Sequence, residues 1–433
     1  MIETYLRQYE AQSASTAGLP AWLQQLRRSA IDGFQQAGFP TAKDEEWRFT
    51  PVAPIAGAEF AAASRAATVR AEDLEPFLFG HPEWTRLVFV NGQFAPELSS
   101  SPATEGLTAT TLAVALAAEP EILERHLGQH VSPDATPFTA LNTALSRDGA
   151  LVRIAARAVI ETPIHLVFVS TAEADGVAIH PRALVLVERE ARAQLVESYV
   201  TLAPGARYWT NPVCEISMAE GSWIEHSRIQ RESEAAYHTA FTQVNQWRDS
   251  HYRSFSLAMG SAIARHNLHT RLNAPNTEAL LYGLSLAHGD QLIDNHTVVF
   301  HDQPDCRSWE VYKAIHDGRS HGVFNGKIFV QPIAQKTDAK QTNRTLLLSD
   351  TAKIDTKPQL EIFADDVKCT HGATVGNLDP LSGFYLQSRG VPAEMARRIQ
   401  TYAFAAEVLE EISSAPVRNA LDILVHARLG TVR

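Results

Sequence analysis

Three cysteines in 433 residues, Cys214, Cys306 and Cys369, are too few and too scattered for a disulfide framework, and the absence of any C-x-x-C pair excludes a zinc ribbon. This is the inventory of a reduced, cytoplasmic protein. No run approaches the roughly 18 consecutive apolar residues needed to span a bilayer, so no membrane partner is expected. Positive charge is in short supply too. With 38 Lys and Arg against 49 Asp and Glu the formal charge is -11, which argues against nucleic acid or anionic lipid as the main partner. The opening "MIETYLRQYEAQSAS" has acids and no apolar stretch, so it reads as neither a secretory signal nor an Arg-rich transit sequence.

Catalytic signatures are missing as well. "GLSLA", residues 283–287, has alanine where a nucleophile elbow needs its last glycine, and reads as strand and turn. "GVFNGK", residues 322–327, is one residue short of a phosphate loop and lacks Ser or Thr after the lysine; Asn325-Gly326 reads as a turn. No G-x-G-x-x-G opens a helix and no H-E-x-x-H occurs. His266 and His269, three apart on a strand, point to opposite faces. Ten of the 17 histidines fall between His226 and His321, and they read as solvated or hydrogen-bonded side chains rather than ligands.

What is present divides into three segments. In "LPAWLQQLRRSAIDGFQQAGFP", Pro20 opens a helix, Leu23, Leu26, Ala30, Ile31 and Phe34 recur at helical spacing, and Gly38 closes it. Asn91-Gly92 between apolar residues predicts a hairpin, and "TLAVALAAEPEILERHLGQH" is again helical. This N-terminal helical and mixed segment is placed at 1–140. From there to 380, short alternating strands follow each other, with starts at Ser222, Ala236, His251, Ala264, Glu278, Leu292 and Ser308. The starts lie roughly 14 residues apart, so two strands make a coil of about 28, within the range of stacked repeats. A sandwich would show hairpin dipeptides between the strands, and few occur; stacked coils of a parallel β-helix explain both the regularity and that shortage. The last segment, 381–433, is helical: Pro392 opens it, with Met395, Ile399, Tyr402, Ala406, Leu409 and Ile412 on one face, and a second helix follows from Pro416. The fold class is therefore mainly β, a parallel β-helix flanked by N- and C-terminal helical segments.

One pair carries candidate chemistry. In "ADDVKCTHGATVG", Cys369 and His371 sit at i and i+2 of a strand, on one face and roughly 7 Å apart, a spacing that suits two ligands of a surface metal or cluster. Two ligands are too few for an iron-sulfur cluster, which takes about four, so such a site would be shared or transient. On spacing alone the commoner reading is a buried structural cysteine beside a hydrogen-bonded histidine.

The run "VFNGKIFVQPIAQKTDAKQTNRTLLLSDTAKIDTKPQLEIFADDVKCTHGATVGNLDP" from Val323 to Pro380 resembles the scaffold proteins of the SUF system, the SufB/SufD family. "DEEWRFTP" at residues 44–51, "FYLQSRGVP" at 384–392 and "YAFAAEVLEE" at 402–411 match in the same order, so the resemblance spans the chain. It is to the D branch: the C-D-S run that carries the assembly cysteine of the sister SufB is absent.

The resemblance implies a right-handed parallel β-helix and a non-catalytic scaffold in a complex of one SufB, two SufC and one D chain. SufC is the ATPase, which would account for the missing phosphate loop, and it docks on the C-terminal helices. It further implies that His371, with Cys369 beside it, lies at the junction with SufB and helps hold a transient iron-sulfur cluster, with no cofactor bound permanently. SufC dimerisation driven by ATP would shift the junction and expose the ligands. A homodimer of the isolated chain is plausible through the same edge. The rival reading is a β-helix carbohydrate-active enzyme using Asp365 and Asp366; adjacent strand residues face opposite ways, which counts against the pair.

Overall fold

The computed structural model describes residues 2–15, 18–63, 67–132 and 135–430. Its centre is a parallel β-helix of eight coils, each laying one strand in each of two sheets. The first sheet runs from Gly149–Ile154 to Lys353–Ile362 and the second from Ile164–Ser170 to Lys368–Gly376, with successive coil strands alternating between the two sheets; the short strands Val177–Ile179 and Trp209–Thr210 interrupt this only in the first coils. In the second sheet Glu278 pairs with Arg307, Arg307 with Asp338 and Asp338 with Lys368, steps of 29, 31 and 30 residues. The strand starts expected from alternation agree with those observed to within one residue.

The coil corners explain the missing hairpin dipeptides. Two or three residues before the next strand the chain takes a single left-handed residue, as at Glu190, Asp249, Asn276, Gly289, Asp305 and Gly318, and then continues into the other sheet. One αL residue is enough to turn a corner, and Gly, Asn and Asp tolerate it best. A two-residue type I′ turn would instead fold the strand back on itself. Such a turn does form at Asn91-Gly92, with φ of 48° and 79°, between the antiparallel strands Thr85–Val90 and Gln93–Phe94.

The two ends of the stack differ. At the N-terminal end Thr85–Val90 extends the second sheet and is followed by Gln93–Phe94, while Leu107–Thr111 runs antiparallel along Gly149–Ile154 of the first. Helices α1 (Ile2–Ser15), α2 (Ala21–Ala37) and α3 (Pro137–Leu145) lie on that side, α2 opening after Pro20 and stopping at Gly38 as expected. They close a cluster of Tyr5, Ile31, Phe34, Trp47, Phe138 and Trp209. The helix expected over "TLAVALAAEPEILERHLGQH" is two short ones, Leu112–Ala118 and Pro120–His126, because Pro120 has no N–H to continue the first.

Residues 45–50, within the "DEEWRFTP" stretch, form a strap over the outer face of the first sheet. The Glu45 carboxylate meets Lys357 at 2.5 Å, Glu46 accepts from Asn325 at 3.1 Å, and Arg265 stacks 3.7 Å above the centroid of the Trp47 ring. Beneath lies a buried ion pair, Arg265 to Asp294 at 3.0 Å, with Thr50 donating to the same carboxylate. Asn325-Gly326, expected as a turn, is instead the middle of the strand His321–Val330. Asn325 faces out to the strap, and Gly326 faces in, where an added Cβ would lie 2.1 Å from the Gln341 amide nitrogen.

Helices α4 (Pro380–Ser388), α5 (Ala393–Leu409) and α6 (Ala415–Arg428) follow the last coil. Val408, Leu409, Ile412, Leu421 and Val425 pack on Phe255, Leu257, Leu284 and Leu286 of the second sheet's outer face. Each such side chain contributes about 1.5–3 kcal/mol when fully buried, so these helices are part of the fold. The buried stripe of α5 is Ala396, Thr401, Ala405, Val408 and Leu409; of the expected face Leu409 and Ile412 are buried and Tyr402 packs partly against them, whereas the stripe is otherwise carried by small residues. The small residues let the helix approach the sheet closely, and Ile399 is turned out, 40% exposed.

Candidate functional site

The C-terminal end of the stack is open. Among the described residues Lys353–Ile362 pairs only with His321–Val330, and Lys368–Gly376 only with Asp338–Leu347, so the eighth coil presents two strand edges with unpaired backbone groups. Proteins normally cover or charge such edges. Here charged residues such as Lys353, Lys357, Glu361 and Lys368 share the strands with apolar side chains left in the open: Ile362 and Val375 are 36% and 45% exposed, and Phe363, just past the first strand, 57%. An edge of this kind is a template for pairing with another chain.

Cys369 and His371 lie on the second of these edges. Cys369 is in register with Ala339 and His371 with Gln341, both buried inward-facing residues, so the pair shares the inner face of the last coil. Cys369 is half-buried against the interior cluster, whereas His371 is exposed at the mouth. Burial pushes the Cys369 thiol up from its ordinary value, which disfavours the thiolate that binds metal. Of the two, His371 is better placed to act as a ligand in the isolated chain. Among the described residues no group of three or more His, Cys, Asp or Glu is arranged to hold a metal ion. Cys369 and His371 are thus two candidate donors at an open edge.

Below His371 runs a polar row. Glu310, Gln341 and His371 occupy the same position in the sixth, seventh and eighth coils, paired in register. Glu310 and Gln341 are each 1% exposed, and the Gln341 side-chain amide donates to Glu310 at 2.5 Å. Burial pushes the Glu310 carboxyl up to about 7 even with Gln341 donating to it. Sequence reasoning passed over both residues. The signal was there: polar residues recur at 310, 341 and 371, steps equal to the coil length, at positions that alternation turns inward.

The other residues singled out in the sequence lie apart from this edge. Cys214 is buried beside Glu197, and burial followed by the nearby carboxylates raises its thiol well above the ordinary range. Cys306 is buried, with its sulfur 3.0 Å from the Thr277 hydroxyl. His266 does point inward, 3.0 Å from the Thr242 hydroxyl, and His269 packs edge-on against Phe241. Of the ten central histidines, His226, His238, His266, His296, His301 and His316 are buried and partnered, so hydrogen bonding rather than solvation is their rule. Asp365 and Asp366 are not on a strand at all: they sit in an exposed bend between the last two strands, with Asp366 paired to Lys336.

A second exposed surface lies on the C-terminal helices. Leu381, Phe384 and Tyr385 of α4 are 77%, 72% and 58% exposed, with Ile399 of α5 and Ile423 of α6 also turned out.

Comparison with known proteins gives two family matches that together cover nearly the whole chain. Residues 1–166 match the SufBD protein N-terminal region, and residues 168–404 match the SufBD core domain of SUF-system FeS cluster assembly. A SufBD-family iron-sulfur cluster assembly protein of Synechocystis is 35% identical over 93% of this chain and 90% of its own length. The iron-sulfur cluster assembly protein SufD of Escherichia coli is 31% identical over 94% and 90%. The chloroplastic protein ABCI7 of Arabidopsis thaliana is 30% identical over 94% and 86%.

Proposed function

Because this chain belongs to the SufBD family and is thereby a component of iron-sulfur cluster assembly, we propose that it is the D-type scaffold of a SufB–SufC–SufD complex. The observation that carries this reading is the open eighth coil, whose unpaired edge carries Cys369 and His371. SufB is the chain that pairs with those edges and supplies the missing ligands. His371 is the principal ligand of this chain, and Cys369, its thiol held protonated by burial, joins when the junction moves. The nascent cluster is cargo, held and passed on. SufC docks on the apolar surface of α4 to α6, and its ATP-driven dimerisation displaces the junction. This chain contributes coordination and mechanical linkage rather than bond-breaking chemistry.

The test is co-expression with SufB and SufC, purification of the assembly, and measurement of its iron and acid-labile sulfide. His371→Ala is expected to leave the three-protein assembly intact and to reduce iron and sulfide to background. Cys369→Ser should reduce them less. Undiminished iron and sulfide in the His371→Ala assembly would overturn the ligand assignment, and failure of the wild-type chain to co-purify with SufB would overturn the pairing.

A further inference from the structure

Gln341 stands directly between Glu310 and His371 in the inward-facing row, and its amide has a fixed orientation. The nitrogen is committed, donating to Glu310 Oε2 at 2.5 Å, so the carbonyl oxygen Oε1 is the end left over. That oxygen is buried and has no hydrogen-bond donor. A buried carbonyl without a donor is costly, about 1–3 kcal/mol. The opposing sheet makes room for this amide: Gly326 faces it, and a Cβ there would lie 2.1 Å from Nε2. The next side chain in the row beyond Gln341 is His371, whose imidazole has an N–H to donate and whose ring is exposed at the open end.

We propose that the exposed His371 ring, not bonded to Gln341 as it stands in this structure, turns so that Gln341 Oε1 accepts its imidazole N–H, and that Glu310, by orienting Gln341, sets which ring nitrogen remains unprotonated at the junction. Metal-binding histidines need this arrangement, because the hydrogen bond made by one nitrogen fixes the tautomer and aim of the other. Glu310 and Gln341 are positioning residues: they touch neither iron nor sulfide, and act through the ring. The proposal rests on His371 being a ligand, but the Gln341–His371 bond is testable without metal.

The experiment uses the full chain labelled with ¹⁵N-histidine, with His371 assigned by the signals lost in His371→Ala. Wild type is expected to show two well-separated ring-nitrogen shifts, the signature of one neutral tautomer. In Gln341→Leu the His371 shifts should collapse to the averaged values of free histidine at the same pH, with the other ring signals unmoved. The Glu310 pair separates positioning from packing. Glu310→Gln keeps a carbonyl to accept from the Gln341 amide and should preserve the wild-type shifts; Glu310→Leu removes it and should reproduce the Gln341→Leu pattern. Cluster content of the co-purified assembly should fall roughly 10–100-fold in Gln341→Leu, the usual effect of losing such a partner. Identical His371 shifts in wild type and Gln341→Leu would overturn the proposal, as would wild-type shifts in Glu310→Leu. If His371→Ala instead retained full cluster content while the tautomer lock held, the ligand reading would fail and the hydrogen bond would stand.

Discussion

Glu310 should make this protein less stable as pH rises through neutrality. Its carboxyl is fully buried in the interior of the β-helix, one oxygen accepting from Gln341 and the other without a partner. Burial holds it at about 7 where an ordinary glutamate stands at 4.5. A folded-state value above the unfolded one means that the folded chain binds the proton more tightly, so protonation favours folding. At about 1.4 kcal/mol per pKa unit, the contribution is about 3 kcal/mol. It is fully present below about pH 4.5, declines as pH rises towards 7, and is gone above that. Glu310→Gln carries an amide of nearly the same shape that never ionises, so it should lack this decline. Urea unfolding of both chains, followed by circular dichroism at pH 5, 6, 7 and 8, measures the difference. The variant should gain roughly 2–3 kcal/mol on wild type between pH 5 and 8, because only wild type must bury a carboxylate at the upper end. Parallel midpoints across that range would refute the reasoning and indicate that water or a rearranged partner solvates the ionised carboxylate.

Two further outcomes follow from the packing. Asp294→Ala strands the buried Arg265 guanidinium under the Trp47 strap and should cost about 3–5 kcal/mol in urea unfolding at pH 7; a loss under about 1 kcal/mol would count against that ion pair. Burial alone would raise the Asp294 carboxyl, but His296 and Arg265 hold it below the ordinary range, so its contribution is present at neutral pH and fades on acidification, a fading the variant should not show. Leu381→Glu with Phe384→Glu, both exposed on α4, should leave the unfolding free energy within about 0.5 kcal/mol of wild type yet abolish pull-down of SufC; retained pull-down would count against the proposed docking surface. Deleting α5 and α6 would be a poorer probe, because it uncovers Phe255, Leu257, Leu284 and Leu286 on the β-helix itself.

Much of the architecture was legible before the structure. Strand starts in the coiled region could be read to within a residue because inward and outward positions alternate with period two, and that alternation is local. The α2 boundaries were legible because Pro20 and Gly38 impose backbone geometry wherever they occur. Less legible were features set by neighbours in space. Asn325-Gly326 looks like a turn in isolation, yet the sheet on both sides keeps it extended, and the glycine answers to Gln341 fifteen residues away. The face of α5 was misjudged at Ile399 because apolar spacing marks a stripe without saying which part meets the sheet and which awaits a partner.

For the candidate site the division is sharper. The sequence by itself determined that Cys369 and His371 share a strand face, that two ligands do not complete a cluster site, and, through the long run from Val323 to Pro380, the family. Only the tertiary structure decided that their strand is the last one in the stack, unpaired on one side, and that Glu310 and Gln341 lie beneath His371. The physical reason is register. Residues some 30 apart become neighbours about 4.8 Å apart only when every intervening corner has a set length, and those lengths are fixed by the stacking of coils rather than by any one coil's residues.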